Sequence, residues 1–270
     1  MSDLGAVPAA PSKSLLFLEA RAAVDFATML RPLIRGESRS VAQQTDSLTV
    51  VVPGFGSGDA YTLPLRRFLK QNGVRSEGWG LGTNLGGSNL PHTQEDLSSR
   101  WDFEHLEEYR GEVAVPFLID RLYDAVMARH TATGKKISLV GWSLGGFLAR
   151  EVARELPDVV DKVVTMGSPL IGGPKYTAAA PVFRRRGTDL DWIEAEIARR
   201  EETVPPISQP ITAIISKTDG IVDWNAVYDH KSPKVRHIEV DASHLGMGFN
   251  TKIWSYVLGA LLSRDQENTA

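Results

Sequence analysis

Ser143 stands in Gly141-Trp142-Ser143-Leu144-Gly145, a spacing that could activate a hydroxyl for attack on an acyl carbon. The stretch follows a β-type run, Lys136 to Val140, and opens a helical run, Phe147 to Val152, so it reads as strand, sharp turn and helix. A serine at the apex of such a turn has an exposed, aimed hydroxyl. The flanking glycines let strand and helix close on each other without a Cβ clash. The pattern is short enough to arise by chance, so the rest of the chain must supply what the chemistry requires. A serine hydroxyl needs a base to take its proton, an acid to orient that base, and donors for the oxyanion.

Six histidines are available as the base. His130 ends a helical run and could cap it, His237 lies inside a β-type run, and His92, His105 and His230 sit in polar loops. His244 differs, because it directly follows a strand in Ser243-His244-Leu245-Gly246, where a short glycine-flexed loop lets a base reach the serine. A loop histidine with only a local hydrogen bond is the plainer reading of the same residue. The acid belongs at the end of the preceding strand, where Thr218-Asp219-Gly220 supplies Asp219 in a turn. Asp223, beside Trp224, is the alternative and reads better as a helix cap.

A tetrahedral intermediate carries a negative oxygen, and removing one of its donors costs about 3 kcal/mol of barrier. The backbone N–H of Leu144, at the start of the helix after the serine, is one expected donor. Phe55, in the glycine-rich loop Pro53-Gly54-Phe55-Gly56-Ser57-Gly58, is the other. A strand-to-helix turn with no such role remains open for that loop.

Together these residues resemble the α/β-hydrolases and, within them, the small bacterial lipases and esterases. The resemblance covers Leu48 to Leu262. Pro53-Gly54-Phe55-Gly56 stands where lipases usually have His-Gly-x-Gly, and Gly167-Ser168-Pro169 looks like the lipase Gly-Ser-Pro. Ser216 to Val222 and Ser243 to Gly246 look like their acid and base loops. The resemblance implies a triad of Ser143, Asp219 and His244. It also implies acyl transfer from esters, thioesters or activated amides, because dehalogenases and epoxide hydrolases on this fold carry aspartate at the elbow. The departure is Pro53, which removes a side-chain donor that braces the oxyanion loop. An acyltransferase differs only in what deacylates the enzyme, and a non-catalytic binding module would keep the pocket and lose the activity.

The elements that must position these groups alternate along the chain. β-type runs at Leu48 to Val52, Val74 to Trp79, Ile137 to Val140, Lys162 to Met166, Ile211 to Ile215 and Val235 to Val240 are interleaved with helical runs. The helices are expected at Leu63 to Leu69, Pro116 to Arg129, after Ser143, and at Ile253 to Leu262. Parallel strands need such crossovers, which predicts an α/β fold: a doubly wound, mostly parallel sheet of about six strands. Two excursions interrupt it. The first runs from Gly80 to about Glu112; its Gly82 to Gly87 does not fit G-x-G-x-x-G in any register and reads as a loop over the site. The second, residues 172–210, carries a helix with a thin apolar stripe, Leu190, Ile193 and Ile197, capped by Thr188 with Asp191, and is expected to be a small helical lid. Arg184, Arg185 and Arg186 within it form either a solvated face or an attractor for an anionic group.

Ahead of the domain, expected over residues 37–270, Leu15, Leu18, Ala22, Phe26, Met29 and Leu33 recur at steps of three and four. They predict an N-terminal amphipathic helix within residues 1–36, ended by Pro32 and Gly36, that docks on the body of the domain. A chain of 270 residues can bury one substantial core. Its formal charge of −3 shows no basic footprint for nucleic acid. With no cysteine, disulfides, thiolate catalysis and Cys-based zinc sites are excluded. There is no P-loop, H-E-x-x-H or EF-hand spacing, so no cofactor or metal is expected. Neither a signal h-region nor a stretch of roughly 20 apolar residues is present, and the expected location is the cytoplasm. The expected partner is a small-molecule ester with an apolar acyl group; the sequence leaves the oligomeric state open.

Overall fold

Six strands form one sheet in which every neighbouring pair runs parallel: β1 (Leu48–Val52), β2 (Ser76–Gly78), β3 (Ile137–Trp142), β4 (Val160–Met166), β5 (Ile211–Ser216) and β6 (Val235–Val240). This computed structural model describes residues 7–27, 45–90, 93–101 and 114–263. The strand order is β2-β1-β3-β4-β5-β6. The chain therefore runs from β1 outward to β2, then crosses back over β1 to β3. The carboxyl ends of β1 and β3 flank the point where the direction of winding reverses, which is where open α/β sheets bind ligands.

β1 and β3 are buried along their whole length, because helices cover both faces of the sheet. Alternation sends Leu48, Val50, Val52, Ile137 and Leu139 to one face and Val51, Val140 and Trp142 to the other. The first set packs under the helices Ala114–Thr133 and Leu144–Glu155, through Leu118, Leu122, Val126, Leu148 and Val152. The second packs under the helices Asp59–Gln71 and Thr251–Leu262, through Leu65, Leu69, Trp254, Val257 and Leu261. Each fully buried side chain of this size contributes about 1.5–3 kcal/mol of transfer free energy. That burial fixes which way each strand end points.

Three expectations shift in detail. The strand expected over Val74 to Trp79 pairs only at Ser76–Gly78, because Val74 and Trp79 turn inward as core side chains and leave three residues in register with β1. The insertion between β4 and β5 carries two helices, Ala180–Arg185 and Leu190–Thr203. The second is capped by Asp189, not Thr188: its carboxylate accepts from the N–H groups of Asp191 and Trp192 at 3.0 Å each, a stronger acceptor than a hydroxyl in the same turn.

At the N-terminus, a helix over Lys13–Leu18 tightens into a 3₁₀ turn, Glu19–Arg21, and resumes over 22–27. Met29, Pro32, Leu33 and Gly36 lie outside the described residues. The most buried residue of this helix is not apolar: it is Glu19, 8% exposed, whereas Phe17 is 82% exposed. No helix among the described residues is long and apolar enough to cross a membrane.

Candidate active site

Ser143 follows the last residue of β3 with φ 55° and ψ −129°, the one positive φ at a non-glycine position among the described residues. Its N–H donates to the Met166 carbonyl at 2.8 Å, and its own carbonyl accepts from Gly146 N–H at 3.0 Å. The packing around the turn explains the glycines. A Cβ at Gly141 would strike the backbone of Gly145 and Gly146, one at Gly145 the carbonyls of Val52 and Pro53, and one at Gly146 the buried Ser168. Strand, turn and helix close to backbone contact, and the serine is held at the apex in a strained conformation.

Asp219 and His244 emerge from the carboxyl ends of β5 and β6 and meet in the interior, 3% and 2% exposed. His244 Nδ1–H donates to Asp219 Oδ2 at 2.7 Å. The other carboxylate oxygen accepts from Ile221 N–H and Val222 N–H at 2.8 Å each, which fixes the carboxylate in its own turn. Gly167, at φ 54°, lies against this pair: a Cβ there would stand 3.0 Å from Asp219 Oδ2 and 3.1 Å from His244 Nδ1. Asp223 takes no part, since it caps its own 3₁₀ turn at Asn225 N–H and accepts from Ala9 N–H. The other described histidines are occupied elsewhere. His130 bonds the Lys135 carbonyl, His230 stacks on Tyr228, and His237, lowered in pKa by burial, accepts from Asp229 N–H. His92 and His105 lie outside the described residues.

The backbone of the histidine loop is held from three directions by side chains. Trp142 Nε1–H donates to the His244 carbonyl at 3.1 Å, and Tyr61 O–H donates to the Leu245 carbonyl at 2.9 Å while its ring stacks on Trp142. Burial holds the Tyr61 phenol well above its usual pKa, so it stays a donor. Glu19 accepts from His244 N–H and Leu245 N–H at 2.8 Å each. All four main-chain polar groups of residues 244 and 245 are thus satisfied.

Ser143, Leu144, Phe55 and His244 line one cavity of about 520 Å³. Ser143 and the imidazole face the same space without a hydrogen bond between them; such bonds are often long before substrate binds. Neither the Phe55 nor the Leu144 amide donates to a protein acceptor among the described residues. The loop carrying Phe55 is braced by Asn84, which is fully buried. Its Nδ2 donates to the Pro53 carbonyl at 2.8 Å, its carbonyl accepts from Gly56 N–H at 2.7 Å, and its N–H donates to the Ser57 carbonyl at 2.8 Å. Most of the remaining wall is apolar: Leu85 and Trp101 from the first excursion, Ile119 and Phe147 from the flanking helices, and Phe183, Trp192, Ile193 and Ile197 from the insertion. No cluster of three or more His, Cys, Asp or Glu among the described residues could hold a metal ion.

Residues 114–199 match a family model described as the alpha/beta hydrolase fold. Solved structures similar over most of the chain include the mature lipase of Bacillus licheniformis, at TM-score 0.56 and 11% identity over 84% of this chain and 97% of that one. A lipase-esterase related protein from Clostridium acetobutylicum aligns at TM-score 0.52 and 15% identity, over 80% and 95% of the two chains. A Pyrococcus furiosus esterase aligns at 0.51 and 19% identity, over 80% and 82%. The chain has the α/β-hydrolase fold. A search of curated protein sequences returned no match.

On this fold, sequence reasoning placed Ser143, Asp219, His244, Phe55 and Leu144 in one neighbourhood, and they are found in one neighbourhood. It missed Glu19, Tyr61 and Asn84. Asn84 stands where the resemblance left a gap: with proline at 53, the brace of the loop comes from the first excursion instead. Of the three insertion arginines, all exposed, Arg186 lines the cavity.

Proposed function

We propose that the protein is a serine hydrolase that cleaves carboxylic esters through an acyl-enzyme. The observation that carries this reading is the buried Asp219–His244 hydrogen bond opening onto the same apolar cavity as a serine held in a strained strand-to-helix turn. In the first step the Ser143 oxygen bonds to the acyl carbon as its proton passes to His244 Nε2. The bond from that carbon to the leaving oxygen then breaks, and the same proton leaves with the alcohol. In the second, water repeats the attack with His244 as base, releasing the acid and restoring Ser143. Asp219 fixes the imidazole tautomer and stabilises the imidazolium, and the amides of Phe55 and Leu144 receive the oxyanion at the start of a helix whose dipole favours negative charge.

The substrate class follows from the walls. At about 520 Å³ the cavity falls within the 300–1,000 Å³ range of small-molecule sites, and its lining of Leu, Ile, Phe and Trp suits an apolar acyl group. The insertion over 172–210 supplies much of that lining and acts as the lid. The test is rapid, stoichiometric labelling by a fluorophosphonate together with turnover of p-nitrophenyl esters. Ser143→Ala is expected to abolish labelling and lower turnover by at least about 10³ with an unchanged circular dichroism spectrum. An unlabelled wild type, or full turnover in the variant, would refute the reading.

A further inference from the structure

We propose that Glu19, on the N-terminal helix, is a positioning residue that sets the register between the loops carrying Asp219 and His244. One carboxylate touches both loops beside the residues that matter. Oε1 accepts from Gly220 N–H at 2.9 Å and from His244 N–H at 2.8 Å, and Oε2 accepts from Leu245 N–H at 2.8 Å. Gly220 follows Asp219 directly, so the three donors bracket the Asp219–His244 hydrogen bond from both sides. The two loops leave different strands, and a side chain from a distant part of the chain fixes their spacing.

The fit is specific to this helix. A Cβ at Gly220 would strike the Leu15 carbonyl, so the acid loop lies in contact with the helix backbone. Asn250 Nδ2 donates to Asp25 Oδ1 at 3.0 Å, and Phe26 packs edge-on to Phe249 at 5.2 Å, which seats the next helical turns on the segment after His244. A carboxylate this buried is costly unless its oxygens are satisfied. Docking alone would be served by an apolar side chain at 19, on the inward stripe with Leu15 and Ala22. Among the described residues, the acceptors of this carboxylate are met by main-chain N–H groups of the two loops.

The test uses the full-length chain and two variants of opposite logic. Glu19→Gln keeps the shape and one acceptor oxygen but turns an NH2 group toward a main-chain N–H, so one of the three bonds is replaced by a repulsion. Glu19→Ala removes all three. We expect kcat for a p-nitrophenyl ester to fall at least about tenfold in Glu19→Ala and by an intermediate amount in Glu19→Gln, with KM within about twofold, because Glu19 does not line the cavity and its apolar wall is unchanged. Val126→Ala, in the core away from the site, is the control: it lowers Tm and leaves kcat unchanged. Equal kcat in wild type and Glu19→Ala would overturn the proposal, as would a loss that simply tracks Tm in all three variants. The kinetic arm rests on the esterase reading, so a second arm does not use turnover. The hydrogen-bonded His244 Nδ1–H proton, followed by NMR, is expected to persist in wild type and Val126→Ala and to exchange away in Glu19→Ala. Persistence of that signal in Glu19→Ala would refute the positioning role even if the protein hydrolysed no ester.

Discussion

Ser143 is kept at φ 55° by neighbours that leave the chain no room to relax, and at Gly141 and Gly145 these contacts are backbone on backbone. Gly145 faces the carbonyls of Val52, in the β1 ladder, and Pro53, held by Asn84 Nδ2, main-chain atoms that cannot yield as a side-chain tip could. Gly145→Ala is accordingly expected to destabilise the fold by about 2–3 kcal/mol through overpacking, read as a shift in the urea midpoint at constant m. A neutral substitution would mean that the turn has more freedom than these contacts allow. Glu19 shows the complementary case at the same scale. Its three hydrogen bonds make a local helix residue part of a site more than 200 positions away in sequence.

At the scale of elements, the proposed mechanism requires the loop after β1 to hold the Phe55 amide still, and that loop is braced by an asparagine from the first excursion. Asn84 closes four hydrogen bonds around Pro53, Gly56, Ser57 and Gly86, so the excursion serves as the scaffold of that loop as well as a cover for the cavity. Removing the side chain leaves the Pro53 carbonyl buried without its donor and lets the loop drift. A misplacement of about 1 Å can cost roughly 100-fold. Asn84→Ala is expected to lower kcat/KM by about 10- to 100-fold while wild-type levels of folded protein are retained. Unchanged kinetics would place the oxyanion donors elsewhere.

Across the whole molecule, the helix that begins after Ser143 is tied to the insertion by buried charge. Arg154 meets Glu151 and Glu201, and Arg200 meets Glu151 and Glu155, so the Leu190–Thr203 helix is anchored at its C-terminal end to the helix of the candidate nucleophile. Arg150, 2% exposed, pairs with Asp229 at 2.8 Å. Arg150→Met leaves that carboxylate uncompensated, with an expected loss of 3–5 kcal/mol in chemical unfolding, as is typical for breaking a buried pair on one side. Burial alone would raise the pKa of Asp229, but Arg150 and the N–H groups of Ser232 and Lys231 outweigh it and hold the carboxyl below its ordinary 3.8. A group whose folded pKa is depressed contributes stability above its unfolded value and loses it as pH falls through the folded one. Asp229→Asn should therefore lower Tm at pH 7, and the gap to wild type should close as the pH drops below about 4. A gap independent of pH would assign the loss to packing.

By itself the sequence determined the parallel sheet, five of the residues that meet around the cavity, and the order in which they occur. Each of those signals is local: period-two and period-3.6 hydrophobicity, glycines where two backbones touch, and a histidine or aspartate directly after a strand. Even the strand Val74 to Trp79 failed only in length, because core packing took its ends. What only the tertiary structure decided is which polar side chains brace the site. Asn84 sits among the glycines of a loop and Glu19 among apolar positions of the N-terminal helix, where an acid beside the inward stripe is a visible sign that something must satisfy it. Their partners are main-chain N–H and C=O groups, which every residue carries and no sequence pattern marks. A bond of that kind is specified by where the backbone lies in space, and that is set by the burial of the whole sheet between its helices.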